Sequence, residues 1–252
     1  MVNIQSRLLV GVFSGLVFSG KSFFRNWVMS LPEYKDAVFA SADAVRQRLY
    51  GDRSDTHITK TEHVFKNEAT RFEVKTRLII ERPSAVFLEM VMLTREAHQK
   101  PFVEMVESVN WYLQTIERET TERDGQSIPD SPVKVDFRCI YFYCDLEAVK
   151  RRIGYRQQEL KTVGNVSNAS VFDFDGFLRG ARQIEIPPAG YTPLYLNTSD
   201  ESPEALTRQR QEILFFLKGE MPINEEELQR RFHEAMCILR DARNSAEIAR
   251  LA

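Results

Sequence analysis

Apolar residues fall along this chain in two alternating rhythms. Leu8 to Phe13, Ala37 to Ala40, Ala85 to Leu93, Val133 to Cys144 and Pro193 to Asn197 are short, nearly unbroken apolar runs. They are rich in Val, Phe, Ile and Tyr and bounded by turn residues, which predicts strands buried on both faces of a parallel sheet. Between them apolar residues recur at helical spacing. Phe23, Phe24, Trp27, Val28 and Leu31 predict a helix from Lys21 that Pro32 stops. A brief helix over Ala44 to Tyr50 ends at Gly51, and Val64, Phe65, Ala69, Phe72, Leu78 and Ile79 predict a long one over Glu62 to Ile80. Thr94 is a cap for the segment reaching about Glu122, with Pro101 in its first turn, and Asp145 caps a basic helix. Asp124 to Pro132 reads as a loop, and residues 161 to 190 show no sustained period. Beyond the fifth run, Ser202-Pro203-Glu204 opens a helix that Gly219 closes. Asn224 then caps a last amphipathic helix carrying Leu228, Phe232, Met236 and Leu239. Strands alternating with helices predict an α/β sandwich: a parallel five-stranded sheet with helices on both faces. The expected organisation is one domain over residues 1 to 200 and a helical extension over 201 to 252.

Composition narrows this picture only modestly. The 34 basic and 36 acidic residues of the 252-residue chain give a net charge of −2, so no global basic footprint points to nucleic acid and only a local patch could bind it. Cys139, Cys144 and Cys237 are odd in number and scattered, and form neither a disulfide framework nor a metal cluster. His57, His63, His98 and His233 lack metal-ligand spacing. Glycosylation-type triplets at Asn165, Asn168 and Asn197 matter only in a secreted chain. Arg7 followed by the uncharged stretch Leu8 to Gly20 resembles the start of a signal peptide, but turn-forming glycines and serines and the closing Lys21-Ser22 have no place in one. The stretch is also too short to span a membrane, and the expected location is the cytoplasm.

The candidate chemistry begins inside that stretch. Gly15-Leu16-Val17-Phe18-Ser19-Gly20-Lys21-Ser22 matches G-x-x-x-x-G-K-[ST] between a predicted strand and a predicted helix. Glycines let successive backbone N–H groups wrap a phosphate at a helix N-terminus; the lysine reaches the β and γ phosphates, and the hydroxyl serves Mg²⁺. The cradle thus comprises Gly15, Leu16, Val17, Phe18, Ser19, Gly20, Lys21, Ser22 and Phe23. Phe23, Phe24 and Trp27 follow helical spacing and are expected in the core rather than stacked on a base. Glu89, inside the third apolar run, is costly to bury without a partner. Either it belongs with Ser22 to a metal shell or acceptor site, or it pairs with a neighbouring base.

Read with Ser41-Ala42-Asp43-Ala44-Val45-Arg46 and Leu49-Tyr50-Gly51, the loop resembles those of small P-loop kinases such as polynucleotide kinase, zeta toxin and chloramphenicol phosphotransferase. Lys150, Arg151, Arg152 and Arg156 resemble the family's arginine-bearing lid, here residues 145 to 185, and Tyr191-Thr192-Pro193-Leu194 with Asn197-Thr198 resembles a further motif near its last strand. The resemblance spans roughly residues 7 to 218. It implies the P-loop three-layer fold, ATP and Mg²⁺ as cofactors, and a phosphate acceptor that is a small molecule or nucleotide-like. It further implies that Lys21 holds the transferring phosphoryl group, that Asp43 is the carboxylate meeting the acceptor hydroxyl, and that Arg46 clamps the acceptor or a phosphate. Arg152 and Arg156, four apart on one helical face, would close over ATP. Phe18 departs from the pattern: a bulky side chain stands where the family's loop is slim, and it either lines an acceptor pocket or impairs nucleotide binding. The function expected is transfer of the γ-phosphate of ATP to a hydroxyl. The alternatives are an ATPase of the AAA type, for which no apolar run ending in Asp-Glu is found, and a nucleotide-binding regulator without catalysis. A homodimer through the exposed face of the last helix is compatible with the sequence.

Overall fold

The computed structural model of the chain describes residues 7–51, 57–90, 96–123, 133–163, 174–181, 193–221 and 224–251. Five strands, β1 (Arg7–Gly15), β2 (Val38–Ser41), β3 (Ala85–Met90), β4 (Lys134–Tyr143) and β5 (Leu194–Asn197), form one parallel sheet in the order β2-β3-β1-β4-β5. β1 is the central strand, and every residue in it after Arg7 is buried, which is why its sequence is a continuous apolar run rather than an alternation. Neither of its neighbours is adjacent to it in sequence. The chain therefore leaves the sheet in opposite directions around the C-terminal end of β1, and a crevice opens there.

Among the described residues eight α-helices pack around the sheet, on both its faces. Alternate residues of the strands serve alternate faces. Phe13, Ile140 and Phe142 pack against α1 (Lys21–Met29) and α7 (Pro203–Lys218). Val10, Val12, Val86 and Leu88 pack against α3 (Lys60–Ile80) and α4 (Glu96–Arg123). On that second face, Tyr141, Tyr143 and Tyr195 meet α5 (Leu146–Val163), α6 (Phe174–Ala181) and α8 (Glu225–Leu251). The remaining helix, α2 (Ala42–Tyr50), follows β2 directly. The α/β sandwich is thus as the sequence predicts. Both helices after residue 200 lie on the sheet: α7 supplies Ile213, Phe216 and Leu217 to one core, and α8 supplies Leu228, Ala235, Leu239 and Ala242 to another. Their ends obey the local signals. Ser202 Oγ accepts from Ala205 N at 3.2 Å, Gly219 closes α7 at φ 73°, and Asn224 Oδ1 accepts from Glu226 N at 2.9 Å.

β3 is described to Met90; residues 91–93 of the third run and the expected cap Thr94 lie outside the described residues. Two other local expectations need correction. α4 begins at Glu96, so Pro101 lies inside it rather than in its first turn; the missing N–H removes one rung of the ladder. In α3 the helix is as predicted, but several of its apolar residues point away from the core. Val64, Phe65 and Phe72 are exposed, Phe72 at 72%, whereas the buried face is Lys66, Thr70, Val74 and Leu78. The helix starts two residues before the expected Glu62, because Thr59 and Glu62 form a reciprocal capping box.

Candidate functional site

The loop between β1 and α1 leaves the sheet where β3 and β4 flank β1. Gly15 has φ 132° and lies so close to β4 that a Cβ there would stand 2.1 Å from the carbonyl oxygen of Phe142. Gly20, the residue before α1, has φ 85°. Both positions therefore require glycine. Phe18 also adopts a left-handed conformation, φ 64°, which costs a side-chain-bearing residue ~1–2 kcal/mol. The surroundings hold it there. Its carbonyl oxygen accepts from Arg152 Nη1 at 2.7 Å and from the thiol of Cys144 at 3.7 Å, and its ring joins the apolar cluster made by α5, α6 and α8.

Inside the loop, Ser19 donates through its hydroxyl to the Leu16 carbonyl at 2.7 Å, and the Lys21 ammonium donates to the same oxygen. The Ser19 carbonyl accepts from Thr198 Oγ1 at 2.9 Å, which ties the loop to the end of β5. Lys21 is 5% exposed. Burial pulls its pKa down to about 8, opposed by the charges of Glu89 and Asp43 among its neighbours. A lysine so placed is a desolvated cation whose local partner is a carbonyl, and an anionic phosphate would be a stronger one.

Glu89 stands at the C-terminal end of β3, in register with Phe13 of β1 and Ser41 of β2. One carboxylate oxygen accepts from the Ser22 hydroxyl at 2.7 Å and the other from Arg25 Nη1 at 2.7 Å. Glu89 therefore pairs with a neighbouring basic side chain, one of the two sequence alternatives, and also meets Ser22. Arg25 was not singled out from the sequence. The available signal was helical spacing, which puts Ser22 and Arg25 on one face of α1, but its partner could be known only from the strand register. Ser22 and Glu89 offer a hydroxyl and a carboxylate, the hard oxygen donors Mg²⁺ prefers. Among the described residues no group of three or more His, Cys, Asp or Glu could hold a metal ion. A cation here would have to complete its shell with phosphate oxygens and water, as Mg²⁺ commonly does.

Asp43 and Arg46 lie on the other side of Glu89. Ser41, not Asp43, caps α2, its hydroxyl accepting from Ala44 N at 3.1 Å. Asp43 sits in the first turn, its side chain 68% exposed, and Arg46 one turn later is buried and 3.7 Å from it. Asp43 is near enough to Lys21 for its charge to act on the lysine. The structure thus brings Lys21, Ser22, Glu89 and Asp43 around the end of β1.

Arg152 and Arg156 occupy one face of α5, as the spacing requires. Arg152 lies against the loop. It donates to Phe18 O at 2.7 Å, to Thr198 O at 2.5 Å and to Glu201 Oε1 at 2.7 Å, so it braces the loop against the segment after β5. Arg156 is partly buried, and its Nε has no hydrogen-bond partner among the described residues. Lys150 pairs with Glu147, and Arg151 donates to Ser199 O at 3.2 Å. Of the lid stretch 145 to 185, residues 164–173 and 182–185 lie outside the described residues, as do Tyr191, Thr192 and the triplet asparagines Asn165 and Asn168. Phe24 is in the core as expected and Trp27 packs partly buried beside it, but Phe23, also expected in the core from its helical spacing, is 49% exposed. The Arg210 guanidinium lies 5.7 Å from its ring and 5.3 Å from that of Trp27.

No protein-family model matches the chain, and no curated protein is similar to it in sequence. Solved structures do resemble it. An unliganded sugar kinase from Janibacter sp. HTCC2649 superposes with a TM-score of 0.51 at 14% identity, covering 84% of this chain and 95% of that one. APE1195 superposes with a TM-score of 0.50 at 17% identity over the same shares of each chain. The APS kinase CysC from Mycobacterium tuberculosis reaches 0.49 at 15% identity, over 84% of this chain and 97% of that one. At these identities the likeness to the sugar kinase and APE1195 is one of fold, and with the loop at the end of its central strand the chain has the α/β P-loop fold. Among the described residues no helix is long and apolar enough to cross a membrane.

Proposed function

We propose that the chain is an ATP-dependent phosphotransferase that moves the γ-phosphate of ATP to a hydroxyl of a small-molecule or nucleotide-like acceptor. The observation that carries this reading is Lys21: a buried ammonium inside a glycine-hinged loop, with the Ser22–Glu89 pair on one side and Asp43 within electrostatic reach. Loop N–H groups and the N-terminus of α1 would hold the phosphates. Lys21 would neutralise charge on the oxygens of the transferring group. The bond from γ-phosphorus to the bridging oxygen breaks as one forms to the acceptor oxygen, and ADP leaves. Asp43 takes or orients the acceptor's proton. Ser22, with Glu89 behind it, would hold Mg²⁺, which supplies further charge neutralisation when bound. Arg46, buried beside Asp43, would fix the acceptor or its anionic group, and Arg156 would face the nucleotide from α5. The cytoplasm, with its supply of ATP, is the compartment this reading implies.

The test is incubation with ATP and a panel of hydroxyl-bearing small molecules, nucleosides and oligonucleotides, with mass spectrometry of the products. Phosphorylated acceptor should form in step with ADP. Asp43→Asn should lower turnover by ~10²–10⁴-fold and leave affinity for a non-hydrolysable ATP analogue intact. Phosphate released without acceptor would favour an ATPase, and binding with no turnover a regulator.

A further inference from the structure

The ion pair behind the loop does more than balance two partly buried charges. Arg25 is held on three sides: Nη1 donates to Glu89 at 2.7 Å, Nε and Nη2 donate to Asn26 Oδ1 at 3.1 and 2.7 Å, and the guanidinium lies 4.1 Å from the centroid of the Phe39 ring on β2. Arginine in such a frame has little rotamer freedom left to lose, and its geometry is imposed on whatever it binds. What it binds is one oxygen of Glu89. The other oxygen is thereby fixed toward Ser22, whose hydroxyl proton it accepts at 2.7 Å. A hydroxyl whose proton is committed to a carboxylate has its lone pairs free on the opposite side.

We infer that Arg25 is a positioning residue: it locks Glu89 so that the carboxylate orients the Ser22 hydroxyl as a ligand for the nucleotide-bound cation. The inference rests on the nucleotide-binding reading above. Arg25 does not touch the cation or the phosphates; it acts through Glu89. Without it the carboxylate is free to rotate away from Ser22 and toward Lys21, on which its charge acts. Both the hydroxyl's orientation and the lysine's availability then suffer. Groups behind a metal ligand typically set ~10–100-fold of metal affinity.

The experiment is a Mg²⁺ titration of the full chain with a fluorescent, non-hydrolysable ATP analogue, read as equilibrium binding rather than turnover. Arg25→Met should require about tenfold more Mg²⁺ for half-maximal binding, with affinity in excess EDTA unchanged. Arg25→Lys, which keeps the charge but not the fork, should fall between. In the Glu89→Gln background Arg25→Met should add nothing, because its route of action is gone. Should Arg25→Met fail to fold, Phe39→Leu, which removes the stacking surface, is expected to shift the same Mg²⁺ midpoint in the same direction. An unchanged midpoint in both variants, or an equal loss with and without Mg²⁺, would overturn the inference while leaving the nucleotide reading in place. Absence of analogue binding by the unaltered chain at any Mg²⁺ concentration would overturn both.

Discussion

The two flanks of the loop are built from different materials. On the β4–β5 flank, Arg152, Thr198 and Cys144 grip the backbone carbonyls of Phe18 and Ser19. These contacts fix the loop's path and present no free charge to a ligand. On the β3–β2 flank, Glu89 with Arg25 and Asp43 with Arg46 form partly exposed ion pairs that put charged groups beside the loop. In the proposed reading the first flank serves as scaffold and the second carries the chemistry. The difference teaches that an arginine near a phosphate loop cannot be assigned by charge alone: Arg152 braces the loop through the Phe18 and Thr198 carbonyls and Glu201, whereas Arg25 meets Glu89, which faces Ser22.

The strongest challenge to this division is Arg152→Met. It removes charge-assisted hydrogen bonds to Phe18, Thr198 and Glu201 and leaves buried carbonyls without them, so a loss of roughly 2–4 kcal/mol is expected, or ~4–16 °C in melting temperature for a domain of this size. If calorimetry shows no change in stability, the β4–β5 flank is not scaffold. Asp43→Asn, on the other flank, should alter turnover and leave the melting temperature within the ~0.5 kcal/mol range of exposed substitutions.

A finer contrast lies within α3. Val74→Ala, on the buried face, should cost about 1–3 kcal/mol, whereas Phe72→Ser, on the exposed face, should stay within ~0.5 kcal/mol. Denaturation midpoints of the two variants check this. A reversal would mean that α3 presents the face its apolar letters suggest.

Those same letters show what was legible in the sequence. The strands were, because a run such as Leu8 to Phe13 is buried from both sides and says so locally. Helix ends were too, at Ser202, Gly219 and Asn224, because caps are made by neighbours in sequence. The loop was, since its glycines answer to φ values and close approaches that no other residue tolerates. The inward face of α3 was not legible, because it is set by how the helix crosses β2 and β3. Nor was Arg25, whose role depends on a residue 64 positions away. Phe18 was legible as an anomaly but not in its resolution: the cluster that takes up its ring comes from three helices far along the chain.

The central claim, that Lys21 in this loop meets a nucleotide phosphate, is tested most directly by calorimetric titration with a non-hydrolysable ATP analogue and Mg²⁺ across pH 7 to 9.5, for the unaltered chain and for Lys21→Met. Burial leaves the free lysine with a pKa near 8. An anionic ligand favours its protonated form, so affinity should hold below that pH and weaken by up to about tenfold per unit above it. Lys21→Met should bind at least ~30-fold more weakly, the ~2 kcal/mol of a lost charge-assisted contact, and should lose that pH dependence. Equal affinity in the two proteins, with the same response to pH, would contradict the account.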